Sequence, residues 1–313
     1  MNCNVKKQNT KSQIKKDFFA LFVFAFSAIL LILKQKAVQV SILNSLKLCI
    51  STIVPAVFPF MILSDYLISN FSSVNQTKLS MCFSKLFGIS PIGIIPFIIG
   101  NICGFPLGAR LSSQLCENNY INKDEHKLLL IISSNPSLAF IISGVGAGMR
   151  GSTKDGTILY LSVILSTIIT GMIHKNKHSA SVFHHTLEKQ SFHFTESVKK
   201  ATQSSISICA FISLFSIIIN ILISLNTPIL LVVVLSSFLE IGTSTSILSN
   251  SNLPDLVTLL ITSFTLGFSG LSVYMQINSF SCEKIDTKYF INLKITEGIL
   301  SLVITFIAYL LLS

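Results

Sequence analysis

Charge is scarce in this sequence. Only 12% of its 313 residues are Asp, Glu, Lys or Arg, about half the roughly 25% usual in soluble domains. Arginine is scarcer still: Arg110 and Arg150 stand against 21 lysines. The seven cysteines are scattered with no CxxC pair, which argues against a metal centre or a disulfide framework. No Walker A, GxSxG or comparable motif is present, so neither an enzyme nor a cofactor-binding protein is expected. A basic stripe with interleaved aromatics is also missing, and with it the footprint of a nucleic-acid binder. The net charge of +10 sits instead at segment ends and in loops, where lysines meet anionic lipid headgroups.

What is abundant is apolar sequence. Half of the residues are hydrophobic, and they gather in continuous runs rather than alternating ones. Continuous runs exclude a transmembrane barrel and indicate an all-α polytopic membrane protein of about eight segments.

Residues 1–36 carry a lysine-rich start and a first apolar run, Phe18 to Leu33, with no cleavage site after it. They are expected to form an uncleaved first helix with a cytoplasmic N-terminus. Residues 37–173 form a first repeat. It opens with Val38 to Leu63, where Pro55 and Pro59 should kink or break the helix. A surface helix is expected between Asp65 and Ser90. Residues 174–200 are polar, with five lysines and five histidines, and by the positive-inside rule this loop is cytoplasmic too. His174 and His178 are its only i, i+4 pair, so solvated loop is preferred to a metal site. Five apolar segments separate two cytoplasmic regions, so one segment should enter and leave on the same side.

Residues 201–313 repeat the plan: a long segment, then two interrupted ones. Each half thus holds two breaks where Gly, Pro and small hydroxyl residues interrupt apolar sequence. The first runs from Gly100 to Arg110 and includes Asn101, Gly104, Pro106 and Gly108; the second contains Ser134, Asn135 and Pro136. The third is Glu240-Ile241-Gly242 and onward, and the fourth holds Ser269, Gly270 and Ser272, followed by Tyr274 and Gln276. Unwound backbone in lipid costs several kcal/mol per unpaired group (roughly), so it persists where protein or a polar cavity surrounds it. Corresponding breaks in two repeats are a pointer to a transporter substrate site. The competing account is that Gly and Pro merely permit kinks and close packing.

Asn135 is suited to an N-cap and Pro136 to a first helical residue, and Pro106 could start a helix likewise. Such starts favour an anionic group. Arg110 could bind a carboxylate through its fork, or anchor at the interface and pair with Glu117. Glu240 could pair with Arg110, bind a coupling proton or cation, or mark a helix end.

The breaks also carry a resemblance. Gly104-Phe105-Pro106-Leu107-Gly108-Ala109-Arg110 is similar to a G-[YF]-P-x-G-A-[KR] signature. Ser133 to Ile141 resembles an S-N-x-[SA]-P-L-F-I motif with its proline displaced. Phe238-Leu239-Glu240-Ile241 and Phe268 to Val273 are similar to F-E-I and F-S-G-L-S-V motifs. Together they resemble the YlbJ group of sporulation integral membrane proteins, within the Gate-domain (nucleoside-recognition) superfamily, from about Leu46 onward. The resemblance implies broken or re-entrant Gate-like helices, a place in the cell membrane or the outer forespore membrane, and transport of a small organic anion, dipicolinate. Non-transporting scaffolding in spore formation and nucleoside transport stand as alternatives. The expected partners are membrane lipid, the substrate and, where it assembles, further copies of the chain.

Overall fold

The computed structural model describes residue 25 and residues 27–70, 77–175 and 192–312, and among them every regular element is helical. Most of the lysine-rich start and most of the polar loop after His174, including His178, His184 and His185, lie outside the described residues.

Helix α1 (Ser27–Leu33) meets α2 (Gln35–Leu48) at a sharp bend, 86° between the two arms. A π-helical turn, Cys49–Ile53, joins α2 to α3 (Val54–Asn70). Pro55 has no N–H to return to the preceding turn, and its ring crowds the carbonyl there. The backbone widens into the π turn just before it instead of breaking, and Pro59 is carried inside α3. The helix is thus not broken at the prolines but changes type there.

The expected surface helix is α4 (Lys78–Phe87). Thr77 caps it by accepting from the Ser80 N–H, and Gly88 closes it in the left-handed region at φ 65°. Its inner face carries Phe83 and Phe87, which pack against Phe97. Then come α5 (Ile94–Cys103), α6 (Phe105–Glu117), α7 (Lys123–Ile132), a π-helical segment Phe140–Met149 and α8 (Thr153–Ile173). After the loop follow α9 (Phe194–Ser224), α10 (Ile229–Leu239), α11 (Ile241–Ser249), α12 (Asp255–Phe268), α13 (Gly270–Phe280) and α14 (Thr287–Leu312).

Four described stretches are long and apolar enough to cross a membrane: Thr153–Ile173, Phe194–Ser224, Asp255–Phe280 and Thr287–Leu312. They become six if the bent pair at residue 34 and a second pair, α4 with Pro91–Cys103 at 97°, each count as one. Exposed Leu161, Leu165 and Ile169 on α8, and Ile299, Val303 and Phe306 on α14, form apolar outer faces at helical spacing. Such faces suit hydrocarbon rather than water. The chain is a polytopic helical membrane protein.

The two halves pack through each other. Helix α2 lies along α9, α6 packs on α13, and the Phe140–Met149 segment packs on α11. Helix α14 lies between α12 and α8, with Gly267 and Gly298 letting the backbones of α12 and α14 come close. The core is continuous across both halves, from Phe87 and Leu129 to Leu266 and Phe290.

Candidate functional site

All four interruptions are real breaks between helices, and all are buried. At the first, Gly104 takes φ 109° and ψ 164°, open to glycine but costly for a side chain. It ends α5 and starts α6, with Pro106 in the first turn. At the second, α7 stops at Ile132 and the chain runs without helix through Ser137. The cap here is not Asn135. The Ser137 hydroxyl accepts from the Phe140 N–H at 3.1 Å, two residues later than the sequence pattern placed it. At the third, Glu240 is extended (φ −153°, ψ 129°) and caps α11: its carboxylate accepts from Gly242 N at 2.8 Å and from Thr243 N. At the fourth, Ser269 and Gly270 are both left-handed, at φ 68° and 78°.

In each half the two breaks meet backbone to backbone. The Ser133 carbonyl lies against Gly100 and Gly108 so closely that a Cβ on either would come within 2.0 and 1.9 Å of its oxygen. In the second half a Cβ on Gly270 would meet the Leu239 carbonyl at 3.1 Å. Gly108 and Gly270 are therefore contact glycines of the scaffold.

Between the halves opens a cavity of about 520 Å³, within the range of roughly 300–1,000 Å³ usual for small-molecule sites. Gly104, Pro106, Pro136, Glu240, Gly242 and Gln276 of the residues singled out above line it. Ser51, Thr52, Ser137 and Ser143 add hydroxyls, and the rest of the wall is largely apolar. The Gln276 amide donates to Ser272 at 3.1 Å, while its buried carbonyl oxygen has no protein partner. Among the described residues, no lysine or arginine lines this space.

The remaining expected site residues sit behind the wall. Arg110 is buried outside the cavity, and its Nη2 donates to Asp65 on α3 at 2.7 Å. It pairs with neither Glu117 nor Glu240. Gln114 donates to the other Asp65 oxygen at 3.2 Å. A buried guanidinium with a carboxylate partner is a structural tie between α3 and α6, and the carboxylate that Arg110 binds is the chain's own Asp65. Ser134, Asn101 and Asn135 belong to a second arrangement. Asn101 donates to the Ile132 carbonyl at 3.0 Å, which satisfies one orphan end of α7. Asn135 donates to Asn101 Oδ1 and to Thr167 on α8, both at 2.8 Å.

The partner of that arrangement escaped the sequence analysis. Lys294 and Glu297 on α14 are fully buried, 3.0 Å apart. The Lys294 ammonium also donates to the Ser134 carbonyl at 3.0 Å and to Asn135 Oδ1 at 2.8 Å. Thr167 donates to the other Glu297 oxygen. Two charges three residues apart inside an apolar terminal span were the available signal, since intramembrane ionisable residues are rare.

Another convergence lies at the opposite end of α6. The ligand atoms of Cys116, His126 and Cys282 all fall within 4.8 Å of one another. Burial pushes the His126 imidazole down to about 4 and keeps it neutral, and its two ring nitrogens meet the hydroxyls of Ser112 and Ser281 at 2.9 and 3.0 Å. These residues are too far apart in sequence for a spacing motif to reveal them.

No family model and no solved structure matches this chain. A curated relative is the sporulation integral membrane protein YlbJ of Bacillus subtilis (strain 168), 23% identical over 268 residues. The alignment covers 71% of this chain and 65% of the relative, so the match spans just under two thirds of that protein's length. The similarity agrees with the resemblance carried by the four break motifs.

Proposed function

We propose that this chain moves a small organic anion across a membrane in spore formation, with dipicolinate as the substrate that its family resemblance favours and the outer forespore membrane as its place. The observation that carries the reading is the meeting of three breaks and α13, through Val273 and Gln276, at one cavity. Unwound backbone tolerated at membrane depth around a cavity is the architecture of secondary-transporter sites. The volume and the mostly apolar wall suit one small planar ring, with hydroxyls and the free Gln276 carbonyl to orient it. The similarity to a sporulation integral membrane protein supplies the physiological setting.

A second reading, a neutral nucleoside-like substrate, draws on a different observation. The wall presents the Glu240 carboxylate and, among the described residues, no cation. A dianion entering it would rely on hydroxyls and helix starts for its charge.

The test has two arms. Spore dipicolinate is measured in a deletion strain with and without the complementing gene, and uptake of dipicolinate and of uridine is measured in proteoliposomes of the purified chain. Low spore dipicolinate restored by the gene, with dipicolinate uptake, supports transport. Loss of spore dipicolinate without uptake of either compound points to a scaffold. Normal spore content in the deletion strain overturns the reading, and uptake of uridine alone replaces it with the second.

A further inference from the structure

We infer that the pocket around the Lys294 ammonium is an alkali-cation site occupied by a cation of the protein's own. Three oxygens converge on Nζ: the Ser134 carbonyl at 3.0 Å, Asn135 Oδ1 at 2.8 Å and Glu297 Oε2 at 3.0 Å. One is a main-chain carbonyl from unwound backbone just past the end of α7, where the helix dipole is negative. One is a side-chain amide oxygen, and one is a carboxylate. Carbonyls from unwound backbone at a half-helix C-terminus are what coordinate monovalent ions in broken-helix membrane proteins.

The set is charge-balanced by a single positive charge, and the ammonium's three protons match the three acceptors. It is also preorganised without the lysine. Asn135 is turned with its oxygen toward Nζ because its amide nitrogen donates to Asn101 and Thr167. Thr167 holds the second oxygen of Glu297. Asn101 is fixed in turn by the Ile132 carbonyl. Lys294, Glu297, Asn135, Thr167 and Ser134 are all fully buried. Truncating Lys294 would leave an oxygen-lined vacancy, an uncompensated carboxylate and the volume of the lysine stem, which is a place for a small monovalent cation. The native protein needs no such ion there. This inference concerns a buried cluster behind the cavity wall and does not rest on the transport reading.

Thermal unfolding of the full chain in detergent tests it, with wild type and Lys294→Ala compared in choline, lithium, sodium and potassium chloride at equal ionic strength. Wild type is expected to unfold at one temperature in all four. Lys294→Ala is expected to be destabilised in choline chloride. One or more alkali ions should then restore about half or more of the lost Tm, saturably, as binding to the folded state requires. The double variant Lys294→Ala/Glu297→Gln, which lacks the carboxylate, is expected to show no difference between salts. If Lys294→Ala does not accumulate, Lys294→Ser, which adds a hydroxyl ligand, takes its place in the same series. Equal Tm for the single variant in all four salts, or an equal salt response in single and double variants, overturns the inference and leaves the lysine as a buried ion pair.

Discussion

Arg110 and Asp65, 45 residues apart, hold each other at 2.7 Å with their side chains 8% and 10% exposed. The pair ties α6, which carries the first break, to α3. Removing one partner strands the other charge, at about 3–5 kcal/mol for a buried pair. Arg110→Gln and Asp65→Asn are therefore each expected to lower Tm and membrane abundance, while Arg110→Gln/Asp65→Asn recovers much of the loss. Dipicolinate loading per molecule should stay near wild type. A fall in loading at normal abundance would return Arg110 to the substrate site.

Gly100 and Gly108 press on the Ser133 carbonyl, and a methyl on either overlaps it. Gly108→Ala is expected to lower Tm by displacing the two breaks relative to each other, at about 1–3 kcal/mol, the usual cost of overpacking. Pro106→Ala, which restores an N–H at a first-turn position, should be much milder in Tm. Unfolding curves of the two variants side by side check the ranking.

Glu240 accepts from two N–H groups at the start of α11. Glu240→Ala leaves both unpaired and should cost about 0.5–2 kcal/mol, as lost N-caps do. Glu240→Gln keeps one acceptor and should fall between. If Glu240 serves only as a cap, loading should follow Tm across the series. A Gln variant with near-normal Tm and no loading would show that the carboxylate acts on the cargo or on a coupling ion.

The cytoplasmic placement of both the N-terminus and the loop after His174 rests on their lysines. In a background free of the seven native cysteines, Gln8→Cys and Ala180→Cys are expected to be shielded from an impermeant thiol reagent in intact cells and labelled in inverted vesicles. Labelling from opposite sides would undo the topology and the inference of a re-entrant segment.

The sequence by itself determined the class of the protein and the places where its helices fail. Scarce charge and continuous apolar runs leave few options besides membrane helices, and Gly104, Glu240 and Gly270 mark breaks because local backbone geometry depends on local residue type. A local rule also misled by a small offset: the second-break cap moved from Asn135 to Ser137, the residue whose hydroxyl reaches an unpaired N–H. Partnership was decided only by the tertiary structure. Asp65 claims Arg110, Lys294 reaches back to Ser134 and Asn135, and Cys116 and His126 meet Cys282, because charge and hydrogen-bonding capacity buried in a low-dielectric interior must be satisfied by whatever packing brings near. Proximity across the fold has no spacing in the chain, so composition and motif could name the residues that break helices but not the ones that hold the broken ends together.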